Sequence, residues 1–574
     1  GVMKVRHIIK ILICITIAAT LYFPSTSFAG KYWVSPTGTS AWTGCQGTTD
    51  PGKYCSLATA NSSAIAGDTI YMKAGTYNYS KSGTGAISPA RSGVKGSPIT
   101  YSRIATANKP LINCTNSTSG ANLASRSYVK LDGIKFNVTY PGYGISLIGA
   151  GHYNEIVNCE LYGTPSVAIP IGVTGPSNHN WIHGNVITGK GGSGCKEGGD
   201  VMRIGGAWAN FYSVNNTVED NQFYHGGHAL IDTYSTRYTV IRNNIAHNEP
   251  WWAGTSSCNG WSALYDNSAY NGRWGHRDFE IGFNNDKSNT YTLVEGNRTS
   301  FQSANPGNYG DANITIAGRG IVVRYNDSFS AQRMGMAFKW TNSSSNGLGG
   351  SNCRVYNNTV YHSGYGYKGG GGPATFRVGI YATTTSTPAG NVVKNNIIYD
   401  SVADFTSGFQ KYVTTSDNLC TRAATGCTVV GDPLFTNKYI ADPAGSTGST
   451  SPDLTLQAAS NAINKGAHLT TATNIGRSST ILTVKDVLYF QDGTWGSDLA
   501  RSSDLAHHQP DTIAIGTVYN IVKIKSINYS TNTITLVSPI SWASGDKIWL
   551  YQKSDAVRVL YGFAPDMGAH EYPR

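Results

Sequence analysis

The chain has 574 residues, a formal net charge of +11, only 13% charged residues, 67 glycines and 35 tyrosines. Long helical periodicities are nearly absent, which excludes a helix bundle and favours an all-β chain of short strands and tight turns. A basic chain outside a cell meets polyanionic glycans more often than nucleic acid, so an acidic polysaccharide is the expected partner and nucleic acid is not.

Lys4, Arg6 and Lys10 precede an apolar run from Ile11 to Phe23, and Ser27-Phe28-Ala29 places small residues two apart. This predicts a secretory signal peptide over 1–29, cleaved near Ala29. The run is shorter than the ~20 residues a membrane span requires. The mature protein is therefore expected to be soluble and secreted or held at the cell surface, without a membrane span, and monomeric. Export permits disulfides. Cys45 with Cys55 and Cys420 with Cys427 are close enough to staple local loops, and Cys195 with Cys258 is a further option. No cysteine spacing reads as a zinc site.

Through the middle of the chain a short pattern recurs: apolar, two residues, Asn, one residue, apolar. It reads Ile182-His-Gly-Asn185-Val-Ile187, Val218-Glu-Asp-Asn221-Gln-Phe223, Val240-Ile-Arg-Asn243-Asn-Ile245, Val355-Tyr-Asn-Asn358-Thr-Val360 and Val393-Lys-Asn-Asn396-Ile-Ile398. Weaker copies centre on Asn297 and Asn326, and between Ile156 and Leu161 the Asn place is taken by Cys159. A constant bend with variable spacing predicts stacked coils whose extra residues bulge out as loops. An Asn at the bend tolerates left-handed backbone angles and can bond the next Asn through its amide. Leucine-rich repeats need Leu at fixed spacing, and propeller blades need longer repeats, so neither fits.

Segments at both ends of the chain carry a resemblance. The opening Tyr32-Trp-Val-Ser-Pro-Thr-Gly with Gly67-Asp-Thr-Ile-Tyr-Met-Lys-Ala-Gly-Thr-Tyr77, and the closing Gly431-Asp-Pro-Leu-Phe435 and Ala564-Pro-Asp-Met-Gly-Ala-His-Glu-Tyr572, resemble secreted proteins of the pectate-lyase-like superfamily. That resemblance implies a right-handed parallel β-helix with an N-terminal helical cap, for which Ser56 to Ala66 is available. The implied layout is a cap and first coil over 30–80, the solenoid over 81–432, and cap segments at 433–475 and 555–574. Between the cap segments, 476–554 changes to alternating strands and reads as an inserted small β domain. Its Trp495, Trp542 and Trp549 offer either sugar-stacking rings or core, and Trp549 alternates with apolar neighbours as a core residue does.

Functional residue types crowd between Lys196 and Glu280. Asp200-Val-Met-Arg203-Ile-Gly and His225-Gly-Gly-His228-Ala-Leu-Ile-Asp232-Thr-Tyr234-Ser235 resemble, in order, the alginate lyase and chondroitinase B group. In that group calcium-binding glutamates and a Lys-Ser pair complete the site. Here Tyr234 stands at the Lys position, and Gly227 and Ala229 at the glutamate positions, so calcium is implied by the resemblance without its ligands, and Arg203 alone transfers.

β-Elimination needs a base and a cation at the uronate carboxylate. His228, Tyr234 and His276 are candidates for the base, and Arg203, Arg277 and Arg242 for the carboxylate partner. Hydrolysis instead needs two carboxyl groups, available among Asp200, Asp232, Asp278 and Glu280. Trp251, Trp252, Trp261 and Trp274, in one long excursion, suit stacking on sugar rings or a small apolar cluster. The leading expectation is a secreted lyase for an acidic glycan, with a hydrolase as the second enzymatic option and a non-catalytic glycan-binding, adhesin or matrix protein as the alternative.

Overall fold

The computed structural model describes residues 29–105, 107–115, 119–138, 143–164, 168–172, 174–189, 200–206, 211–224, 229–247, 277–283, 289–300, 312–331, 333–338, 350–365, 377–382, 390–438, 452–502 and 507–572. The predicted signal peptide and the Cys195–Cys258 pair lie outside them. No helix among the described residues is long and apolar enough to cross a membrane.

Successive coils stack into three parallel sheets. Sheet 1 has thirteen strands, from Lys31–Val34 to Val413–Ser416, and sheet 2 has thirteen, from Thr76–Tyr79 to Cys427–Val430. Sheet 3 has eight strands, from Ile169–Ile171 to Ala403–Phe405, and a three-stranded run that begins at Gly85–Ile87 approaches it through the Leu147–Ile171 bridge. Each strand pairs with its equivalent one coil on, so like residues stack. Ile182, Val218, Ile241, Val294 and Val323 form one such inward column on sheet 1, all fully buried. The fold is a parallel β-helix, as the repeat and the resemblance predicted.

Polar bends inside this stack stay satisfied through an asparagine ladder. Asn185, Asn221, Asn244, Asn297, Asn326, Asn358, Asn396 and Asn418 are all buried, and each Nδ2 from Asn185 to Asn396 donates to the Oδ1 of the next at 2.9–3.0 Å. Cys159 heads the ladder through its backbone N–H, which donates to Asn185 Oδ1 at 2.8 Å. The structure corrects the expected register at one coil: Ile241, not Val240, pairs with Val218, so Asn244 is the ladder member. It also divides the role assigned to the bend. The residue before each ladder Asn takes the left-handed angle, with φ of 54° at Asp220, 52° at Asn243 and 55° at Tyr325. Two adjacent asparagines satisfy either requirement, so sequence alone did not distinguish them.

Asn326→Ala should cost about 1–3 kcal/mol, because the Asn297 amide loses an acceptor and Asn358 Oδ1 a donor within the core. A chemical denaturation midpoint unchanged from the parent would contradict this.

At the N-terminal end the helix Leu57–Ser63 starts at Ser56, whose Oγ accepts from Thr59 N–H at 3.0 Å, and sets Ala60 and Ala64 into the core. Disulfides join Cys45 to Cys55 and Cys420 to Cys427, as expected from spacing. At the C-terminal end a six-stranded antiparallel sheet has Thr470–Thr471 and Gly476–Thr483 as its edge strands. It folds back on sheet 1, where Val240, Leu293 and Val322 share an apolar cluster with Trp495, Ile513 and Leu550. Trp495, Trp542 and Trp549 are all buried. They are core residues, and no open ring is left on them for a sugar to stack upon.

Candidate functional site

Alternation along the strands of sheet 3 decides which side chains leave the core. Met202, Ile231 and Phe279 pair across successive coils and point inward, so their neighbours Arg203, Asp232 and Glu280 form an outward row. Pro170 precedes the row and Thr315 follows it. Neighbouring members are one strand spacing apart, ~4.8 Å along the solenoid. Arg203 Nε donates to Asp200 Oδ2 at 2.7 Å, and its Nη2 forms an ion pair with the same carboxylate. Its guanidinium carbon lies 5.4 Å from the centre of the Tyr234 ring. Asp200, Asp232 and Glu280 are buried, and the Arg203 side chain keeps 28% exposure.

Two buried acids, Asp200 and Asp232, and the buried Tyr234 phenol set the charge of Arg203. Burial works against the Arg203 charge, but Asp200, Asp232 and Tyr234 more than offset it and raise its pKa. Burial also pushes the Tyr234 phenol far above its usual range, and Asp232, Glu280 and Asp200 add to the shift. Tyr234 therefore stays protonated near neutral pH. That argues against the base role considered for it and leaves its O–H as a hydrogen-bond donor.

The structure brings together three of the predicted site residues, Arg203, Asp232 and Tyr234, and adds Asp200 and Glu280. Arg277 occupies the strand Arg277–Phe283 at the register of Ala229. His228, His276, Trp251, Trp252, Trp261 and Trp274 lie outside the described residues. Ala229 is a fully buried methyl and supplies no oxygen ligand, so the calcium ligand set of the resembling lyases does not fit here.

Arg242 does not join this group. It lies on sheet 1, buried, where its Nε donates to Glu219 Oε2 at 2.6 Å and its Nη1 to Ser554 Oγ at 2.8 Å. The same outward column continues with Glu295 and Arg324. Arg324 Nε donates to Glu295 Oε2 at 2.6 Å, and its two Nη groups donate to the Asp511 carboxylate at 2.7 Å each. Sequence reasoning missed this ladder. The readable signal was the position two before each ladder Asn, which alternates Glu219, Arg242, Glu295, Arg324.

Beside it lies a cleft of about 300 Å³ lined by Asp220, Arg242, His507, Gln509 and Lys523, among others. Ligand atoms of Glu219, Asp220 and His507 lie within 4.8 Å of one another. Trp181 Nε1 donates to Glu219 Oε1 at 2.5 Å and Arg242 holds the other oxygen, so a guanidinium already stands where a cation would.

No family model and no curated protein matches the sequence. Among solved structures the chain is similar to a pectate lyase, Pel9A, at 16% identity over 76% of this chain and 92% of that one, with a TM-score of 0.42. It is also similar to a PL6 family alginate lyase, AlyGC, at 14% identity over 71% of this chain and 54% of that one, TM-score 0.42. A rhamnogalacturonan lyase matches at 12% identity over 75% and 95%, TM-score 0.42. The chain thus spans about half the length of the alginate lyase. The likeness is one of coiled architecture, and function has to be argued from the residues.

Proposed function

We propose that this chain is an exported polysaccharide-active protein that takes a uronate-containing glycan along the outer wall of sheet 3 and cleaves it by β-elimination. The supporting observation is the partly exposed Arg203 cation set against the protonated Tyr234 phenol. In this reading Arg203 neutralises the uronate carboxylate and so stabilises the enolate formed when the adjacent C–H proton leaves. His228 or His276 takes that proton. The C–O bond to the next sugar breaks as the new double bond forms, and Tyr234 protonates the departing oxygen. Trp251, Trp252, Trp261 and Trp274 are assigned to stacking on the sugar rings, and Arg277 to a carboxylate of the substrate.

A second reading has its own support. Asp232 and Glu280 are in register on adjacent coils, and one strand spacing is close to the ~5–5.5 Å separation of a retaining glycosidase pair.

Incubation with alginate, polygalacturonate and chondroitin separates the readings. Elimination predicts ultraviolet absorbance from an unsaturated uronate at every new chain end. New reducing ends without that absorbance would replace it with hydrolysis. Retained binding with no new ends would leave a glycan-binding protein and defeat both.

A further inference from the structure

Among the described residues, most exposed large apolar side chains fall between 475 and 563, on the C-terminal unit rather than the solenoid. One group of them is organised around a cation. The Arg558 guanidinium carbon lies over the Tyr551 ring at 4.9 Å from its centre and over the Tyr561 ring at 4.4 Å. Its Nε donates to the Leu560 carbonyl at 2.8 Å, which fixes the plane of the group. Two residues beyond Tyr561 stands Phe563, and these rings are 41% and 73% exposed.

The segment that carries them is anchored. Gly562 sits so close to Asn464 that a Cβ would meet its Oδ1 at 1.6 Å, and Asn464 N–H donates to Asp566 Oδ1 at 2.7 Å. Tyr561 and Phe563 thus flank an anchored glycine, so part of the ordering cost is met before any ligand arrives.

We infer that Arg558, Tyr561 and Phe563 form a second glycan-binding surface, on the C-terminal unit, for an acidic polysaccharide. Flat rings at fixed positions suit the apolar faces of pyranose sugars. The Arg558 guanidinium, held over the Tyr561 ring, suits a carboxylate through paired N–H donors, and a neutral glucan carries no carboxylate. The acidic character of the ligand rests on the function proposed above. The surface itself rests on the rings and the cation. Its role is to hold a long substrate chain on a part of the molecule separate from the sheet 3 wall.

Affinity electrophoresis of the full chain through gels containing polygalacturonate, alginate or a neutral glucan tests this. The parent should be retarded by at least one uronan. The double variant Tyr561→Ala/Phe563→Ala should bind it about tenfold more weakly, and Arg558→Lys should weaken uronan binding while keeping the charge. Thermal midpoints verify that the exposed substitutions leave the fold intact. Uronan cleavage by the parent, combined with undiminished retardation of the double variant, overturns the surface while leaving the sheet 3 reading standing. Absence of both cleavage and retardation for the parent overturns the two together. Self-association of the parent in sedimentation that is lost in Phe563→Ala, without any change in retardation, would assign the face to a second copy of the chain and overturn the inference.

Discussion

Replacing Arg324 with alanine should destabilise the protein by about 3–5 kcal/mol, the cost of leaving buried partners uncompensated. Arg324 is fully buried and donates to Glu295, to both oxygens of Asp511 and to the Tyr356 hydroxyl. Without it two carboxylates remain in a place water does not reach. Glu295 adds a pH signature. Burial raises its pKa, but Arg324, Lys553, the Ser554 hydroxyl and Arg242 overcome this and pull the carboxyl down to about 2. A folded pKa below the unfolded value of ~4.3 stabilises the fold above that pH, and the contribution fades as pH falls towards 2. In Arg324→Ala the acid unfolding midpoint should therefore move to higher pH. Denaturant titrations at neutral pH and an acid titration followed by circular dichroism measure both effects. A variant as stable as the parent, with the same acid midpoint, would show that the network contributes nothing.

Tyr234→Phe should lower turnover on the preferred uronan by about 10²–10⁴-fold, the usual loss when a proton donor is removed. The phenylalanine ring keeps the contact with Arg203, so substrate binding should change little and the loss should fall on kcat rather than KM. Arg203→Lys should behave differently. A lysine keeps the charge but not the planar fork, so KM should rise as well. Steady-state kinetics on defined oligosaccharides distinguish the two patterns. Full activity in Tyr234→Phe would remove the phenol from the chemistry. An equal rise in KM in both variants, with kcat unchanged, would make the wall a binding surface only.

The solenoid was legible because its physics repeats. Each coil must turn, and each turn must satisfy buried polar groups, so asparagines recur at the bend from Asn185 to Asn396 whatever the loops between them do. Register within a coil was less legible. At Asn243-Asn244 both residues fit both jobs, and only the pairing of Ile241 with Val218 settles which is which. The site was legible in part. Arg203, Asp232 and Tyr234 were singled out by residue type, and stacking puts them together. Asp200 and Glu280 were considered only as acids for hydrolysis, because the register that stacks Glu280 beside Asp232 depends on coil geometry. Arg242 was misplaced for a related reason: an arginine between an apolar strand and a turn looks the same whether it faces a ligand or the returning C-terminal unit. Nothing local announces that a segment three hundred residues later will cover it.

That return has a consequence for how the molecule is assembled and shortened. Ser497 N–H donates to Thr217 Oγ1 across 280 positions of sequence, and Arg242 reaches Ser554 across 312. During synthesis the coils bearing Glu219, Arg242, Glu295 and Arg324 are complete well before their covering has left the ribosome, and contacts this remote in sequence form slowly. Trimming such a protein from its tail does not peel away the last coils first. It uncovers the midpoint, where a row of alternating charges and the side chains of Val240, Leu293 and Val322 would face water together.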